Sequence, residues 1–225
     1  MKRVLIVILI CVAQVGAAQE TESRNVSSFK GLKVAEGIDV YLKKGDKEAL
    51  KLEVTGVKPS AVVTEISGDY LKIHMREGRY RDKTVKVYVT YVTLEKLSAS
   101  SAANIFSESV IKANHLTLSA SSAASIEIEV DADGIETDVS SAADIEIKGK
   151  TKRLIADISS AGELDAYDLI SEVVEVDVSS GGSAKVNAVK EISANASSGG
   201  DIRFRGNPEK SNTNSSSGGS VKKSS

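Results

Sequence analysis

One short motif returns seven times between Ser100 and the C-terminus, and no other feature restricts the fold so tightly. Each copy is Ser-Ser, two small residues, one polar residue and then usually an apolar one, as in Ser121-Ser122-Ala123-Ala124-Ser125-Ile126. The copies begin at Ser100, Ser121, Ser140, Ser159, Ser179, Ser197 and Ser216, so the steps are 21, 19, 19, 20, 18 and 19 residues. Recurrence at this period is the mark of stacked structural repeats.

The residues between the motifs give the geometry. Leu116, Leu118, Ala120, Ser122, Ala124, Ile126 and Ile128 are all apolar or small, and polar residues mostly separate them. Leu154, Ala156, Ile158, Ser160, Gly162, Leu164 and Ala166 repeat the pattern. A period of two means extended strand with one face inward. Strands run 3–10 residues, so a repeat must bend, at the small residues of the motif and at places such as Lys148-Gly149-Lys150. One repeat is then one coil, stacked on the next at about 4.8 Å. The expected fold is all-β, a right-handed parallel β-helix with coils of about 19 residues; the wandering step does not suit a hexapeptide helix.

Carried straight through the motif, the alternation puts the second serine inside. Ser101, Ser122, Ser141, Ser160, Ser180, Ser198 and Ser217 are therefore expected as an inner structural ladder, each hydroxyl donating to the next coil and accepting from the last. The column after it shrinks along the axis: Ala103, Ala124, Ala143, Gly162, Gly182, Gly200, Gly219.

Residues 19–96 are less regular. Short alternating runs such as Ile38-Asp39-Val40-Tyr41-Leu42 and Val85-Lys86-Val87-Tyr88-Val89 are separated by turn signals at Gly45-Asp46, Gly68-Asp69 and Gly78. They are expected as a cap and first irregular coils, continuous with the array at residues 97–225. Residues 1–18 have the form of a secretory signal: Lys2 and Arg3, an apolar stretch over residues 4–15, then Gly16-Ala17-Ala18. The apolar stretch is short for a membrane span, which needs about 20 residues. Export to the periplasm, cell surface or medium is expected, with no stable membrane span after cleavage. Cys11 is the single cysteine and lies inside that stretch after Ile10, which does not suit a lipoprotein signal. The mature chain then has no disulfide and no thiol nucleophile.

The net charge of −2 conceals an asymmetry. Residues 26–96 carry 14 Lys/Arg against 10 Asp/Glu, and residues 97–206 carry 9 against 18. Such a balance does not suit a nucleic-acid partner. His74 and His115 are the only histidines and stand far apart in sequence, so neither a zinc site nor another cofactor is expected. The serines lie in no Gly-x-Ser-x-Gly elbow and are better explained by architecture. One outward column has chemical interest: Ser98, Ser119, Asp138, Asp157, Asp177, Asn195, Asn214. Its acidic stripe, Asp138, Asp157 and Asp177, is the one candidate for holding a cation, and the one support for a polysaccharide lyase or glycosidase. Outward Lys or Arg is expected to be sparse beside it, and Phe106 and Tyr167 to be outward but isolated. A non-catalytic binding or scaffolding role is the main expectation, with a glycan or an envelope protein as partner and self-association open.

A family resemblance rests on Val26-Ser27-Ser28-Phe29-Lys30-Gly31-Leu32-Lys33-Val34, on Gly37-Ile38-Asp39-Val40, on Tyr70-Leu71-Lys72-Ile73 and on the serine/small-residue repeats. In that order they resemble the head GIN domain proteins, exported proteins of Bacteroidetes-type bacteria grouped under autotransporter adhesins. The resemblance covers nearly the whole mature chain and implies a β-helical fold and adhesion. Asp39 stands where the family name implies Asn. With nothing after Ser225 to form a translocator barrel, self-transport is not expected.

Overall fold

The structure, a computed structural model, describes residues 19–224; the expected signal segment and Cys11 lie outside the described residues. The strands in chain order are β1 (Glu20–Arg24), β2 (Gly31–Val34), β3 (Asp39–Lys44), β4 (Ala49–Thr55), β5 (Val62–Ser67) and β6 (Tyr70–Met75). Next come β7 (Thr84–Tyr91), β8 (Lys96–Ala99), β9 (Asn104–Ser107), β10 (Ile111–Ala120), β11 (Ser125–Val139) and β12 (Asp144–Ile158). The chain ends with β13 (Glu163–Val178), β14 (Ser183–Ala196), β15 (Asp201–Arg205), β16 (Lys210–Ser215) and β17 (Ser220–Lys223). Consecutive coils of the array pair in parallel, as Ile126↔Ile145 and Ile145↔Leu164 illustrate. The fold is thus a parallel β-helix with coils of about 19 residues, as the repeat requires.

The motif makes the sharp corner of each coil. The carbonyl of its first serine accepts a hydrogen bond from the N–H three residues on: Ala103 to Ser100 at 3.2 Å, Gly162 to Ser159 at 2.9 Å, Gly200 to Ser197 at 2.8 Å. Both residues between have positive φ, for example 53° at Ser101 and 60° at Ala102, or 50° at Ser160 and 59° at Ala161. Left-handed backbone costs an L-residue roughly 1–2 kcal/mol. A second set of bonds, between coils, offsets it. The N–H of the third motif residue donates to the carbonyl of the second serine one coil on: Ala102 to Ser122 at 3.0 Å, Ala142 to Ser160 at 3.1 Å, Gly181 to Ser198 at 3.1 Å.

This geometry corrects the expected inner ladder. Ser101, Ser122, Ser141, Ser160, Ser180, Ser198 and Ser217 do stack, but at the outer corner, and all seven are exposed. The left-handed pair uses up two residues without advancing the strand. The alternation therefore resumes in the same phase, while the second serine swings to solvent. The other inner positions are as expected: Leu116, Leu118, Ala120, Ala124 and Ile126 are buried, as are Leu154, Ala156, Ile158 and Leu164.

The N-terminal region contains both coils and a cap. Strand β2 lies between β6 and β8, and β3 lies between β7 and β9, all in parallel. The first coil in sequence is thus inserted between the second and the third. Ala35-Glu36-Gly37-Ile38 is a disguised copy of the corner: Glu36 and Gly37 have φ of 68° and 65°, and the Gly37 N–H donates to the Ser101 carbonyl at 2.9 Å. No such corner exists in the outer coil, where β6 and β7 are joined by a longer loop. There Lys83 Nζ donates to the Glu36 carbonyl at 2.7 Å, and the Met75 N–H donates to the Glu36 carboxylate at 2.6 Å. The outer edges are covered by antiparallel strands, β4 on β7, β5 on β6 and β1 on β4. A solenoid end left bare would expose unpaired strand edges.

Differences in coil length are absorbed away from the corner. The 20-residue coil from Ser159 shifts register against both neighbours, between Asp165 and Leu169 on one side and between Ala166 and Ser171 on the other. Gly149, with φ 112°, turns the neighbouring coil at a point where a Cβ would lie 2.0 Å from the Val130 carbonyl oxygen. Crowding also explains the Ala-to-Gly drift: a Cβ on Gly200 would lie 2.7 Å from the Val178 carbonyl oxygen. Gly200→Ala is therefore expected to destabilise by about 1–3 kcal/mol through overpacking. Ala142→Gly, at φ 57°, should change stability by less than about 1 kcal/mol, because relief of left-handed strain offsets the entropy of glycine in the unfolded chain. Chemical denaturation of the two variants against the parent checks both.

Candidate functional site

Because coils stack in register, outward residues fall into columns, and one flat face carries the most uneven charge. Register pairs join Ser98, Ser119, Asp138, Asp157, Asp177, Asn195 and Asn214 in one line. The same line continues the other way through Lys33 to Lys72. The column thus reads Lys, Lys, Ser, Ser, Asp, Asp, Asp, Asn, Asn. Sequence order hides this, because Lys33 and Lys72 belong to the two coils whose spatial order is reversed. The lysines stand at the far end of the line from the aspartates, and none lines the groove beside them. The basic end is richer still, since Lys96 lies in the adjoining column, paired with Gly31 opposite Tyr70. Lys33 Nζ sits 4.4 Å from the centroid of the Tyr70 ring.

The acidic end behaves as stacked like charges should. Asp157 has its carboxyl pushed above its ordinary value of 3.8, first by desolvation, then by Asp177 and Asp138 on the coils either side. Asp177 gains partial relief from Asn195, whose Nδ2 donates to Oδ1 at 2.8 Å. The groove along this stripe, about 180 Å³, is lined by aspartate, serine, asparagine and the backbone of apolar residues, with no Lys or Arg. Three carboxylates in line at about 4.8 Å steps do not converge on one point. Among the described residues, no three His, Cys, Asp or Glu side chains are grouped as a metal site.

A second feature is a groove of about 580 Å³ beside this face. It forms where the chain leaves β7 and passes over the inserted coil to reach β8. Its apolar floor includes Leu94 and Ala132, and its rim carries Glu95, Lys96, Lys112, Asn114, His115, Asp131 and Asp133. His115 is exposed, with Nε2 3.7 Å from the Glu136 carboxylate. His74 is half-buried on β6, its Nδ1 2.9 Å from the Met75 carbonyl.

Two outward aromatics prove not to be isolated. Phe106 stacks on Tyr41 with centroids 5.3 Å apart, and Tyr41 stacks on Tyr88 at 5.2 Å. The rings spend their faces on one another and present edges outward. Tyr167 lies under the Arg205 guanidinium at 5.1 Å, and its hydroxyl is 2.7 Å from Ser224 Oγ. The signal for the first cluster was present as Tyr41, Tyr88 and Phe106 at equivalent strand positions, but it needs the reversed coil order to be seen.

The raised Asp157 carboxyl has a pH consequence. The folded chain holds that proton more tightly than the unfolded chain does. Stability is therefore lost as pH rises from the ordinary value of 3.8 through the raised folded value, and it stays lost at neutral pH. Asp157→Asn should stabilise the protein at pH 7 by up to about 1 kcal/mol, the scale of a like-charge cross-strand pair, reduced by salt. The gain should vanish at pH values below 3.8. Urea unfolding across pH checks this, and calcium or a chelator should leave the unfolding midpoint where it was.

Comparison with known proteins adds a lineage. No curated protein matches the chain. Among solved structures, a "putative adhesin" from Bacteroides fragilis NCTC 9343 superposes with a TM-score of 0.84 at 15% identity, covering 93% of this chain and 98% of that one. A "putative adhesin" from Parabacteroides merdae ATCC 43184 gives 0.76 at 18% identity, over 92% and 96%. A "putative lipid binding protein" from Parabacteroides distasonis ATCC 8503 gives 0.73 at 19% identity, over 92% and 97%. At these identities they establish a shared fold. A family model described as "Putative auto-transporter adhesin, head GIN domain" matches residues 28–208, and the chain belongs to that family.

Proposed function

We propose that this is an exported binding and scaffolding protein of the cell envelope or its surroundings, acting without catalysis, and that a glycan chain is its ligand. The observation that carries this reading is the groove between the β7–β8 crossover and the coils of β10 and β11. It is open, shallow and rimmed by both charges, an amide and an imidazole over a small apolar floor. Such a surface suits a polar chain held by several hydrogen bonds, with its less polar ring faces over Ala113. Repeat proteins commonly bind along extended faces of this kind. The signal-like residues 1–18 support export, and membership of an adhesin family supports binding.

One structural relative is named for lipid binding. The large apolar side chains exposed among the described residues are Ile66, Val110, Ile170 and Val189, of which Ile170 and Val189 flank one register pair, Ser171–Ala188, and the other two stand on strands or loops apart. That distribution favours the polar ligand over a lipid surface.

The protein spanning residues 19–225 should be retained on a glycan array, and Asn114→Ala with His115→Ala and Asp133→Ala should weaken retention at least tenfold, about 1.4 kcal/mol. The unfolding midpoint should be nearly unchanged. Lack of retention on glycans, matrix and envelope fractions would sink the reading. So would turnover of a polysaccharide that Asp157→Ala abolishes.

A further inference from the structure

We propose that the flat face bearing the Lys72–Asn214 column is a self-association surface, on which two copies of the chain meet antiparallel about a two-fold axis at Ser119. The inference goes beyond ligand binding; it shares Lys96 and Thr117 with the groove, but it rests on the column from Lys72 to Asp177, none of which lines the groove.

The column is self-complementary when reversed. Counting one coil per level, Lys72 and Asp177 each stand three levels from Ser119, on opposite sides. Lys33 and Asp157 each stand two levels away, and Ser98 and Asp138 one. A two-fold axis along the strand direction brings Lys72 opposite Asp177 of the second copy, Lys33 opposite Asp157 and Ser98 opposite Asp138. The adjoining column obeys the same rule: Lys96 meets Glu136, and Thr117 meets its own counterpart. On the other side lie Ser100, Ser121, Ser140 and Ser159, short enough to let two sheets approach. Facing sheets pack about 10 Å apart, a gap that one lysine and one aspartate side chain together span.

Elsewhere the outward columns are laced by ion pairs between coils, such as Lys152–Asp133 at 2.7 Å, Arg153–Glu175 at 2.6 Å and Lys190–Glu172 at 2.8 Å. Lys33, Lys72, Asp138, Asp157 and Asp177 enter no ion pair among the described residues. Lys72 faces Glu65 across β5 and β6, but Lys33, Asp138, Asp157 and Asp177 have no opposite charge beside them in register, and a second copy of reversed gradient supplies one.

The overlap is seven coils at about 4.8 Å by roughly five residues at about 3.3 Å. That is about 500 Å² per copy and about 1,000 Å² in total, at the floor of specific interfaces. The dimer is accordingly weak, reversible and sensitive to salt.

The test is sedimentation of the chain spanning residues 19–225 over a concentration series. A dimer is expected at about 0.01 M ionic strength and monomer at about 1 M. Lys33→Glu with Lys72→Glu should be monomeric, and so should Asp157→Lys with Asp177→Lys. An equimolar mixture of the two should dimerise again, because each half-interface then pairs opposite charges. If either reversed variant does not fold, Lys33→Gln with Asp157→Asn takes its place and should weaken the dimer at least tenfold. A monomeric parent at low salt, reversed variants that still dimerise, or a mixture that stays monomeric would each overturn the proposal. Groove substitutions at Asn114 and Asp133 touch none of the proposed interface residues, and His115 reaches only Glu136 at the margin of the face, so failure of glycan binding and failure of dimerisation are separately readable with Asn114→Ala and Asp133→Ala alone.

Discussion

The hydrogen bond from one left-handed corner to the next holds this solenoid in register. A tight turn with two left-handed residues is costly in isolation when those residues are serine and alanine. Stacked, each turn finds its donor and its acceptor already placed by its neighbours. The Ala102 N–H is fixed on the Ser122 carbonyl, the Ala123 N–H on Ser141, and so on to Gly199 on Ser217. Wherever this series is in place, the flanking strands enter and leave at fixed angles. Columns of like residues follow from that, inside and out.

The same constraint explains how the stack begins. Glu36 has no neighbouring corner on its outer side, and the chain supplies substitutes from side chains. A lysine ammonium takes the place of a missing backbone N–H, and the glutamate's own carboxylate receives the N–H of Met75, the last residue of β6. Antiparallel strands then close the edge. Where coils differ in length, the surplus is pushed to the stretch around Tyr167 and Asp168 and leaves the corner untouched.

Much of this was legible in the sequence, and the limits are physical. The period and the alternation gave the coil, the inner columns and the outward line from Ser98 to Asn214, because side-chain direction in a strand depends only on parity. Parity failed at one position per coil. A left-handed pair preserves the count yet sends its first side chain outward, so the second serine was misplaced while Leu116, Ala124 and Leu164 were not. The basic end of the graded face and the Tyr41–Tyr88–Phe106 stack were invisible for another reason. They depend on the order in which coils are stacked, and that order departs from the order of the chain. The groove depends on the resulting crossover, so it too had no local signal.

That inserted coil has a consequence for how the protein comes to be folded. In an ordinary solenoid each new turn can dock on the one before it, so contacts stay local and growth is sequential. Here β2 and β3 need partners on both edges from segments more than 30 residues downstream on one side and about 65 on the other. A chain emerging from its N-terminus has no finished first rung to build upon. The slow event is therefore closure of three coils together, through loops whose entropy must be lost before any of their ladders is complete. After that the remaining rungs add one at a time on a template that already exists.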